Sequence, residues 1–310
     1  MAEIAIDMSL IIIFFSSFKA YTDDENDKQE VLNMNERVAL VTGASSGIGF
    51  DTAMGLKEKG FVVYGAARRM ERMRDLEKRG IHILSLDVTD DESMQECVNS
   101  IVKKEGRIDI LVNSAGYGSY GAIEDVPIEE ARRQIEVNVL GLGRMTQLVL
   151  PVMRKNRSGR IINITSMGGK VHSPFGGWYH ATKFAVEGLS DCLRMEVGEF
   201  GIEVVLIEPG VIQTDWGIIA GGNLKKTSGK GSYRKRAVKV ADGMIDMYST
   251  GKGLSPSSLV SDTIVKAATV RKPKTRYLLG ANAVPLFLMK RLLSDRTYDR
   301  IVLNIMSRGK

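Results

Sequence analysis

The sequence predicts an α/β fold, in which helices cover both faces of a doubly wound parallel sheet. Short runs of β-branched residues alternate with longer amphipathic segments after Met34, and this is the pattern of parallel strands joined by crossover helices. A glycine-rich turn joins the first run to the first amphipathic segment, and no repeat or linker divides the chain. The 310 residues, 44% of them hydrophobic, are enough for one large core, so we expect a single domain.

The strand and helix patterns are distinct along most of the chain. Strands are predicted at 38–42, 61–66, 81–86, 108–113, 160–165, 202–208 and 275–279, and helices at 48–59, 91–105, 131–155 and 177–200. The stretch from about 212 to 257 is an insertion before the last strand, rich in glycine and serine. Because long loops in compact domains are usually lids or binding loops, we expect a lid there.

Both ends of the chain differ from the domain expected over residues 34–282. Residues 1–33 combine a short apolar run at 10–15 with an acidic, polar stretch at 22–30. The run is shorter than the roughly 20 residues that span a bilayer, and no Lys or Arg precedes it as in a signal peptide. We therefore expect a poorly ordered N-terminal extension at 1–33 and a C-terminal helical segment at 283–310.

Charge and cysteine content narrow the function classes. The formal net charge is +6, and a basic stretch without acidic residues runs from 216 to 241. Only Tyr233 is interleaved with its bases as a stacking side chain, so a solvated loop is predicted and nucleic-acid binding is not. Cys97 and Cys192 lie far apart and have no ligand pattern around them. Neither a disulfide framework nor a metal site is expected, and a reducing cytoplasm is the expected location.

The first predicted strand runs into a glycine turn, Thr42-Gly43-Ala44-Ser45-Ser46-Gly47-Ile48-Gly49. Glycine lets a strand reverse tightly into a helix and lets the backbone approach a pyrophosphate without a Cβ in the way. The helix that follows offers free N–H groups to the phosphates. The strand before the turn and the helix after it favour a dinucleotide site over an ordinary glycine-rich turn. The spacing is Gly-x-x-x-Gly-x-Gly, which differs from Gly-x-Gly-x-x-Gly.

A serine, a tyrosine and a lysine form the pattern that carries chemistry. Ser166 ends the fifth predicted strand, and Tyr179 and Lys183 are four residues apart, hence on one face of the next helix. A Tyr hydroxyl stays protonated up to a pH of about 10 unless a cation stabilises its anion, and Lys183 supplies that cation. Ser166 can hydrogen-bond a substrate oxygen. We therefore predict Tyr179 as the catalytic acid/base.

The same Tyr-x-x-x-Lys spacing recurs at Tyr248 and Lys252. This second copy falls in the predicted insertion and has no strand-terminal serine before it, so we interpret it as a chance match without a catalytic role. The competing interpretation of Tyr179 and Lys183 is a pair on a helix surface, which the strand-terminal Ser166 disfavours. His180 adjoins Tyr179 but projects from another helix face, and a packing role is predicted for it.

Together these motifs resemble those of the short-chain dehydrogenase/reductase family over residues 36–280. The shared marks are Thr42 to Gly49, Asn113-Ser114-Ala115-Gly116, Asn138, Ser166, Tyr179, Lys183 and Pro209-Gly210. The resemblance implies a Rossmann-type fold and a catalytic tetrad of Asn138, Ser166, Tyr179 and Lys183. It also implies that Asn138 holds a water that links Lys183 to solvent, and that Lys183 binds the nicotinamide ribose.

The resemblance further implies which residues bind the dinucleotide. They are Gly43, Ser45, Ser46, Gly47, Ile48, Gly49, Arg68, Asp87, Val88, Asn113, Ala115, Gly116, Tyr179, Lys183, Pro209, Gly210, Val211 and Thr214. Residues 113–116 would shape the wall beside the adenosine ribose and the central strand, and Thr214 would contact the nicotinamide amide. Where the family usually has two asparagines, this chain has Asn113-Ser114, a local departure.

The end of the second predicted strand indicates which nicotinamide cofactor is used. An NAD enzyme carries a carboxylate there that binds the adenosine ribose hydroxyls, whereas this chain has Ala67 followed by Arg68 and Arg69. A guanidinium can hold the 2′-phosphate with paired N–H donors, so we predict that NADP(H) is preferred and that NAD can also bind. The competing interpretation is that the arginines begin a solvated turn. Ser46 stands before Gly47, where NADP-using relatives often place a base.

Apolar and aromatic residues are expected at the nicotinamide end and suggest a lipophilic alcohol or ketone as substrate. They are Tyr117, Tyr120, Met167, Phe175, Trp178, Trp216, Ile218 and Ile219. The C-terminal stretch from 271 to 293 resembles the 17-beta-hydroxysteroid and retinol dehydrogenases of the family. The competing interpretation is that these side chains are core or oligomer contacts, since many pockets are hydrophobic.

Two further expectations concern partners. The segment at 284–306 mixes apolar residues with Lys290, Arg291, Arg296 and Arg300, and we expect it to cover the substrate cleft or a partner subunit, with peripheral membrane contact as the alternative. The resemblance favours a homodimer or homotetramer.

A second function class, a non-catalytic dinucleotide-binding sensor or scaffold, has no need for Asn138, Ser166, Tyr179 and Lys183 together, so we expect an enzyme.

Deleting residues 1–33 tests the predicted domain boundary. A shortened chain that starts at Met34 is expected to keep its soluble expression and its activity, because the acidic stretch at 22–30 is typical of an appendage. The measurement is soluble yield and turnover relative to the full chain. Loss of soluble protein would mean that the apolar run at 10–15 packs on the domain.

Overall fold

Seven parallel strands form one sheet. The computed structural model describes residues 37–307, so the predicted extension at 1–33 lies outside the described residues. The strands are β1 (Val38–Thr42), β2 (Val62–Ala67), β3 (His82–Ser85), β4 (Ile110–Asn113), β5 (Gly159–Ile164), β6 (Ile202–Pro209) and β7 (Arg276–Leu279). Their order across the sheet is β3-β2-β1-β4-β5-β6-β7, and all neighbours are parallel. The predicted Rossmann-type α/β fold is confirmed.

Helices cover the sheet and connect its strands. They are α1 (Gly47–Glu58), α2 (Arg74–Lys78), α3 (Asp91–Glu105), α4 (Ile128–Ile135), α5 (Leu142–Lys155), α6 (Gly177–Val197), α7 (Trp216–Ser228), α8 (Arg234–Thr250), α9 (Ser257–Thr269), α10 (Ala283–Leu292) and α11 (Asp295–Ser307). Short 3₁₀ turns form at Met70–Met73, Met167–Gly169 and Gly198–Phe200, and a π-helical turn forms at Glu136–Gly141. None of the helices within 37–307 is long and apolar enough to cross a membrane.

The core lies between the sheet and its covering helices. Every residue of β1, β4 and β5 is buried, as expected of central parallel strands that read as continuous apolar runs. Ile101 of α3 and Met145 of α5 are fully buried against Leu40 and Leu111, and α1 packs with α9. This arrangement holds the carboxyl ends of the central strands along one edge.

The strand order reverses between β1 and β4. From β3 the chain crosses to the other side of β1, so β2 and β4 flank β1 on opposite sides. The connections that leave β1 and β4 therefore part and open a crevice at their carboxyl ends. In open α/β sheets such a crevice is where ligands bind.

Two departures from the predicted elements affect the site. The predicted helix at 131–155 is divided by the π-helical turn into α4 and α5. The insertion predicted as a loop at about 212–257 forms the helices α7 and α8, which pack on each other. Ala220 and Leu224 of α7 and Ala237 and Ala241 of α8 are fully buried at helical spacing, and the many glycine and serine residues between them obscured that period.

Candidate active site

Glycine is required in the glycine turn where its backbone adopts positive φ or passes close to other backbone atoms. The backbone has φ of +70° at Gly43 and +55° at Gly47, in the left-handed region that glycine adopts without strain. A Cβ on Gly43 would lie 2.9 Å from the backbone of Ala115, and one on Gly49 would lie 2.6 Å from the carbonyl oxygen of Gly43. Ser46, the N-cap residue of α1, makes no side-chain cap. The first N–H groups of α1 therefore remain available to an anion.

Thr42 joins the carboxyl ends of β1 and β4. Its Oγ1 accepts hydrogen bonds from the backbone N–H groups of Ser114 and Ala115, both at 3.1 Å. The same hydroxyl donates to the carbonyl oxygen of Val112 at 3.3 Å. These bonds direct the chain after β4 along the glycine turn, so that Ala115 and Gly116 become one wall of the crevice.

The side chain of Asn113, predicted beside the dinucleotide, lies inside the sheet. Its Nδ2 donates to Asn163 Oδ1 at 2.9 Å and to Thr146 Oγ1 at 3.3 Å. Asn163 Nδ2 in turn donates to Ser190 Oγ at 2.9 Å. Asn113 is 3% exposed and does not line the crevice. Its hydrogen bonds connect β4 to β5 and to α5. The position of Asn113 at a strand end did not indicate this orientation of its side chain.

The opposite wall of the crevice follows β6. A Cβ on Gly210 would lie 2.2 Å from the carbonyl oxygen of Ala281, and the Gly210 N–H donates to Leu279 at 2.7 Å. Further along, Thr214 faces the glycine turn, since a Cβ on Gly47 would lie 3.6 Å from Thr214 Cγ2. The glycine turn and Thr214 thus approach each other across the crevice.

Three arginines line the crevice beyond the end of β2. Arg68, Arg69 and Arg72 are exposed and line it, and Arg69 Nη2 donates to Ser45 Oγ at 3.3 Å. Ala67, where an NAD enzyme would carry a carboxylate, is 7% exposed. This part of the crevice is therefore positively charged. Arg72 was not among the predicted site residues, because its place on a 3₁₀ turn is set by the turn and not by any sequence motif.

Asp87 and Val88 line the crevice next to these arginines. Partial burial disfavours the Asp87 carboxylate, but hydrogen bonds from the Thr89 N–H at 3.0 Å and the Thr89 hydroxyl at 2.8 Å outweigh it. The pKa of Asp87 is therefore lower than its ordinary value. With its carboxylate held by Thr89, Asp87 presents a fixed negative charge beside the arginines.

Ser166 caps the 3₁₀ turn that follows β5. Its Oγ accepts a hydrogen bond from the Gly168 N–H at 3.0 Å and lies 3.4 Å from the carbonyl oxygen of Pro209. It also hydrogen-bonds the phenol of Tyr179. A Cβ on Gly168 would lie 3.2 Å from Tyr179 Cε1. Glycine at 168 thus lets the turn carry Ser166 up to the helix that bears Tyr179.

Tyr179 and Lys183 lie one turn apart on α6, and each is 8% exposed. Lys183 Nζ donates to the carbonyl oxygen of Ile164 at 3.0 Å and lies 5.9 Å from the centroid of the Tyr179 ring. Burial lowers the pKa of Lys183 to about 8, although the charge of Glu187 opposes this. Burial raises the pKa of Tyr179 to about 12, and the hydrogen bond with Ser166 opposes that rise.

Asn138 sits in the π-helical turn behind the crevice wall. Its Oδ1 accepts from the Tyr117 N–H at 3.0 Å, and its Nδ2 donates to the Tyr117 carbonyl at 2.8 Å and to Thr182 Oγ1 at 3.1 Å. A Cβ on Gly116 would lie 3.1 Å from Asn138 Oδ1 and 3.9 Å from Lys183 Nζ. Asn138 therefore reaches the same side of Gly116 as the lysine without lining the crevice itself.

The crevice continues into one cavity of about 870 Å³. Among the predicted catalytic and cofactor residues, those that line it are Gly43, Ser45, Ser46, Gly47, Ile48, Gly49, Arg68, Asp87, Val88, Ala115, Gly116, Ser166, Tyr179, Lys183, Pro209, Gly210, Val211 and Thr214. Asn113 and Asn138 do not. The sequence motifs, which are scattered over more than 170 residues of chain, thus converge on one space.

Aromatic rings crowd the end of the cavity next to Tyr179. The Trp216 ring lies 5.2 Å from that of Tyr179 and 5.6 Å from that of Tyr120, between centroids. The predicted substrate-side residues that line the cavity are Tyr117, Tyr120, Met167, Trp216 and Ile219. Phe175, Trp178 and Ile218 do not, and Phe175 instead packs edge-on against Tyr233 at 6.4 Å.

Tyr248, whose Tyr-x-x-x-Lys spacing is predicted to be a chance match without a catalytic role, belongs to this aromatic group. It lies on α8, lines the cavity, and its ring centroid is 6.2 Å from that of Trp216. Lys252 falls beyond the end of α8 and is exposed. The second Tyr-x-x-x-Lys copy therefore has no paired lysine, yet its tyrosine forms part of the wall because α8 folds back over the cavity.

The C-terminal helix α11 closes the cavity on the side away from the glycine turn. Tyr298, Val302, Ile305 and Met306 line it, and the Tyr298 hydroxyl donates to the carbonyl oxygen of His172 at 3.0 Å. The described part of the C-terminal segment, residues 283–307, therefore packs over the cleft. Only docking of the folded segment reveals which of its faces points inward.

His180 is buried against the chain that follows Ser166. Its Nε2 accepts from the Ser173 N–H at 3.1 Å, and its Nδ1 therefore donates to the carbonyl oxygen of Gly168 at 2.9 Å. Burial lowers the pKa of His180. The neutral ring pins the 168–173 segment to α6, in agreement with the packing role that its place beside Tyr179 indicates.

The walls of the cavity fit a dinucleotide. Glycine at 43, 49 and 210 lets neighbouring backbone segments of the wall lie closely together, and the first N–H groups of α1 have no side-chain cap and are available to a pyrophosphate. The N-terminus of α1 can bind the pyrophosphate of such a molecule, and the arginines can bind a further phosphate. Within residues 37–307, no group of three His, Cys, Asp or Glu side chains is placed to hold a metal ion.

Comparison with known proteins places this site in a family. The family model described as short chain dehydrogenase matches residues 37–218. The chain belongs to the short-chain dehydrogenase family. Its fold is also similar to the crystal structure of a short-chain dehydrogenase from Streptomyces avermitilis, with a TM-score of 0.71 and 33% identity over 88% of this chain and 98% of the other.

Two curated relatives within the short-chain dehydrogenase family have named activities. One is an NADPH-dependent 3-dehydrocapnine reductase from Ornithobacterium rhinotracheale, 36% identical over 86% of this chain and 95% of its own length. The other is a 3-ketodihydrosphingosine reductase from Bacteroides thetaiotaomicron, 42% identical over 64% of this chain and 71% of its own length.

Proposed function

We propose that this chain is an NADP(H)-preferring oxidoreductase that reduces a lipophilic ketone, or oxidises the corresponding alcohol, with Tyr179 as the acid/base. The observation that carries the proposal is the meeting of Ser166, Tyr179 and Lys183 in the same cavity as the glycine turn. A protein that only bound a dinucleotide would have no need to bury a lysine beside a tyrosine at the far end of that cavity.

The bound nicotinamide supplies or accepts the hydride. The chain's own residues fix the substrate and move the proton. Ser166 Oγ, held by the Gly168 N–H at 3.0 Å, and the Tyr179 phenol both direct hydrogen bonds to the substrate oxygen, which orients the carbonyl carbon. In the reductive direction the Tyr179 hydroxyl donates its proton to that oxygen as negative charge develops there.

Lys183 makes this proton transfer feasible near neutral pH. Burial raises the pKa of Tyr179 to about 12 even with the opposing hydrogen bond of Ser166, which leaves its anion too unstable to form near neutral pH. The ammonium of Lys183, 5.9 Å from the ring centroid, stabilises the developing phenolate. Asn138 lies next to Lys183 beside Gly116, and we propose that it holds the water through which Tyr179 regains its proton.

The Tyr179→Phe variant tests the acid/base assignment. It is expected to lower kcat at least about 100-fold, since acid/base catalysis is typically worth 10² to 10⁴, and to leave NADPH binding nearly intact because the ring remains. The measurement is nicotinamide absorbance during turnover of a panel of ketones, with cofactor affinity taken from NADPH fluorescence. A variant that keeps more than about a hundredth of the wild-type rate would refute the assignment.

Tyr248→Phe is the matched control, because it removes one hydroxyl from the same aromatic group. Tyr248 is on α8 and has no lysine paired with it, so its loss is expected to leave kcat close to the wild-type value and to alter KM at most. Equal loss of kcat in both variants would point to damage to the cavity and not to a lost proton donor.

Charge at the end of β2 supports the NADP(H) preference. Ala67 cannot repel a 2′-phosphate, and Arg68, Arg69 and Arg72 line the cavity beside it. The relative from Ornithobacterium rhinotracheale is NADPH-dependent by name. We propose that Arg68 holds the phosphate, with Arg69 and Ser45 assisting through their mutual hydrogen bond at 3.3 Å.

Arg68→Ala is expected to raise the Kd for NADPH about tenfold or more, because a hydrogen bond to a charged group is worth about 1.5–3 kcal/mol, and to change the Kd for NADH little. Ala67→Asp combined with Arg68→Ile is expected to shift preference toward NADH. Arg74→Ala is the control, since Arg74 pairs with Glu77 outside the cavity. Equal or better kcat/KM of the wild type with NADH would overturn the preference.

The cavity wall supports a lipophilic substrate. Beyond the aromatic group the lining side chains are mostly aliphatic or thioether: Val171, Ile212, Met244, Met247, Leu286, Val302, Ile305 and Met306. Such side chains adapt to a flexible apolar chain. The two curated relatives act, by name, on a 3-dehydrocapnine and a 3-ketodihydrosphingosine. A ketone near one end of an apolar chain fits both observations.

Met306→Trp is expected to shorten the apolar part of the cavity. For ketones of increasing chain length, kcat/KM should rise by roughly fourfold per buried methylene in the wild type and stop rising sooner in the variant, since each methylene is worth about 0.8 kcal/mol. Leu303→Trp is the control, because Leu303 is on the same helix but 38% exposed and outside the cavity. Identical length profiles would exclude α11 as the far wall.

Self-association is also proposed. Phe184, Leu189 and Met195 of α6 are 47%, 42% and 74% exposed, and large apolar side chains on one surface helix support a homodimer or homotetramer.

A further inference from the structure

A cluster of charged side chains lies behind the cavity, on the far side of Lys183. We call it the ionic cluster, and its members are Lys170, Glu187, Asp191, Glu208 and Arg276. They come from four different places: the end of the 3₁₀ turn after Ser166, helix α6, the end of β6 and the start of β7. None of them lines the cavity, so neither substrate nor cofactor explains why the fold buries these charges.

Glu187 is the centre of the ionic cluster and is 5% exposed. Its Oε2 lies 2.7 Å from Lys170 Nζ and 3.3 Å from Arg276 Nε. Its Oε1 accepts a hydrogen bond from the Thr165 hydroxyl at 2.6 Å. Both carboxylate oxygens thus have polar partners, as the burial of a carboxyl group requires.

Glu208 lies beside Glu187 and is 3% exposed. Its Oε1 is 3.2 Å from Arg276 Nε and 3.6 Å from Lys170 Nζ. Burial, followed by the charge of Glu187, raises the pKa of Glu208 to about 7. The Glu208 carboxyl is therefore only partly ionised near neutral pH.

Glu187 lies close to two segments that carry catalytic residues, namely the helix with Lys183 and the strand end with Ser166. On α6 it lies one turn after Lys183, and through Thr165 it holds the residue next to Ser166. A Cβ on Gly169 would lie 2.9 Å from Glu187 Cγ and 3.0 Å from the carbonyl oxygen of Lys183. The side chain therefore fills the space where the 3₁₀ turn meets α6.

The electrostatic consequence concerns Lys183. Burial lowers the pKa of its ammonium to about 8, and Glu187 is the charged group that opposes this. The groups that face Lys183 or Glu187 from the packed elements are Tyr179, Ile164 O, Thr165, Ser166, Asn138, Lys170, Glu208 and Arg276. Among these groups, Glu187 is the one whose negative charge raises the pKa of Lys183, and it lies one helical turn from Lys183 on the same helix.

We propose that Glu187 is a positioning residue for the active site: its buried carboxylate keeps Lys183 protonated and ties Thr165 and Ser166 to α6. The role rests on the proposed function, in which Lys183 stabilises the Tyr179 anion. A purely structural role, in which the ionic cluster only joins β7 to α6, would account for the same contacts but would affect stability alone. The two roles differ in what they predict for the titration of Lys183.

The Glu187→Gln variant separates the two roles. Lys183 acts when protonated, so kcat falls as the pH rises through the pKa of Lys183. Without the nearby carboxylate that pKa decreases, and the alkaline limb of the pH profile of kcat is expected to move down by about one pH unit. KM for the ketone should change little, and Glu187→Asp should restore most of the limb. An unmoved alkaline limb in a folded Glu187→Gln variant overturns the proposal.

Two other variants remain informative if Glu187→Gln does not fold. Lys170→Gln removes a cation that neutralises Glu187 at 2.7 Å, so the alkaline limb is expected to move up, a direction that lost stability does not produce. Asp191→Asn is the matched control. Asp191 lies one turn further along α6 and pairs with Arg276 and Arg194, so its loss should leave the limb in place. A downward shift in Lys170→Gln would contradict the proposal.

A measurement without turnover separates this proposal from the proposed function. With isotope-labelled lysine, the NMR signal of Lys183, assigned by its absence in Lys183→Arg, gives the titration midpoint directly. A lower midpoint in Glu187→Gln supports the role of Glu187 even if no ketone in the panel is reduced, and in that case only the proposed function fails. An unchanged midpoint overturns the inference whether or not the wild type is active.

Discussion

The close approach between the 3₁₀ turn Met167–Gly169 and helix α6 is the constraint on which the site depends. Ser166 begins that turn, and Tyr179, Lys183 and Glu187 share the helix face against which it packs. A Cβ at 169 would collide with Glu187 and one at 168 would crowd Tyr179 and His180, so two consecutive glycines let the turn lie directly on α6. His180 then fixes the turn with hydrogen bonds at both ring nitrogens.

That contact buries an ammonium group at a considerable cost. Removing a charge from water costs several kcal/mol even after the surroundings relax, and the lowered pKa of Lys183 reflects this cost. The fold offsets it with the carbonyl oxygen of Ile164 and with the carboxylate of Glu187, which does not line the cavity. An active site with a perturbed lysine thus requires a charged layer beneath it, and the ionic cluster is that layer.

The two ends of the cavity are built on different principles. The end of the cavity at the glycine turn consists mainly of backbone: glycines at 43, 49 and 210 let neighbouring segments approach closely, and Thr42 bonds the end of β1 to the end of β4. Because backbone geometry of this kind tolerates few side chains, it restricts these positions to glycine and can be recognised in the sequence as a motif. The substrate end consists of side chains from α7, α8 and α11, which pack over the sheet from later parts of the chain. Its lining can change without any change in the sheet beneath.

Much of this protein follows from its sequence alone. The seven strands, the glycine turn and the spacing of Tyr179 and Lys183 are local, because strand alternation, tight reversal and helical periodicity depend on residues close in the chain. Strand ends that meet at one edge also follow, since parallel strands share a direction. These rules brought most of the predicted dinucleotide residues to one cavity. They did not show that the side chain of Asn113 turns into the sheet and bonds Asn163 on the neighbouring strand.

Only the tertiary structure determined the contacts between segments that are distant in the chain. The glycine- and serine-rich insertion became α7 and α8 because Ala220, Leu224, Ala237 and Ala241 bury one another, and this fold-back brought Tyr248 to the cavity. The docking of α11 and the pairing of Glu187 with Glu208, Lys170 and Arg276 are equally invisible in the sequence. The physical reason is the same in each case: burial and charge pairing depend on which surfaces meet, and a local pattern of residues does not specify its partner.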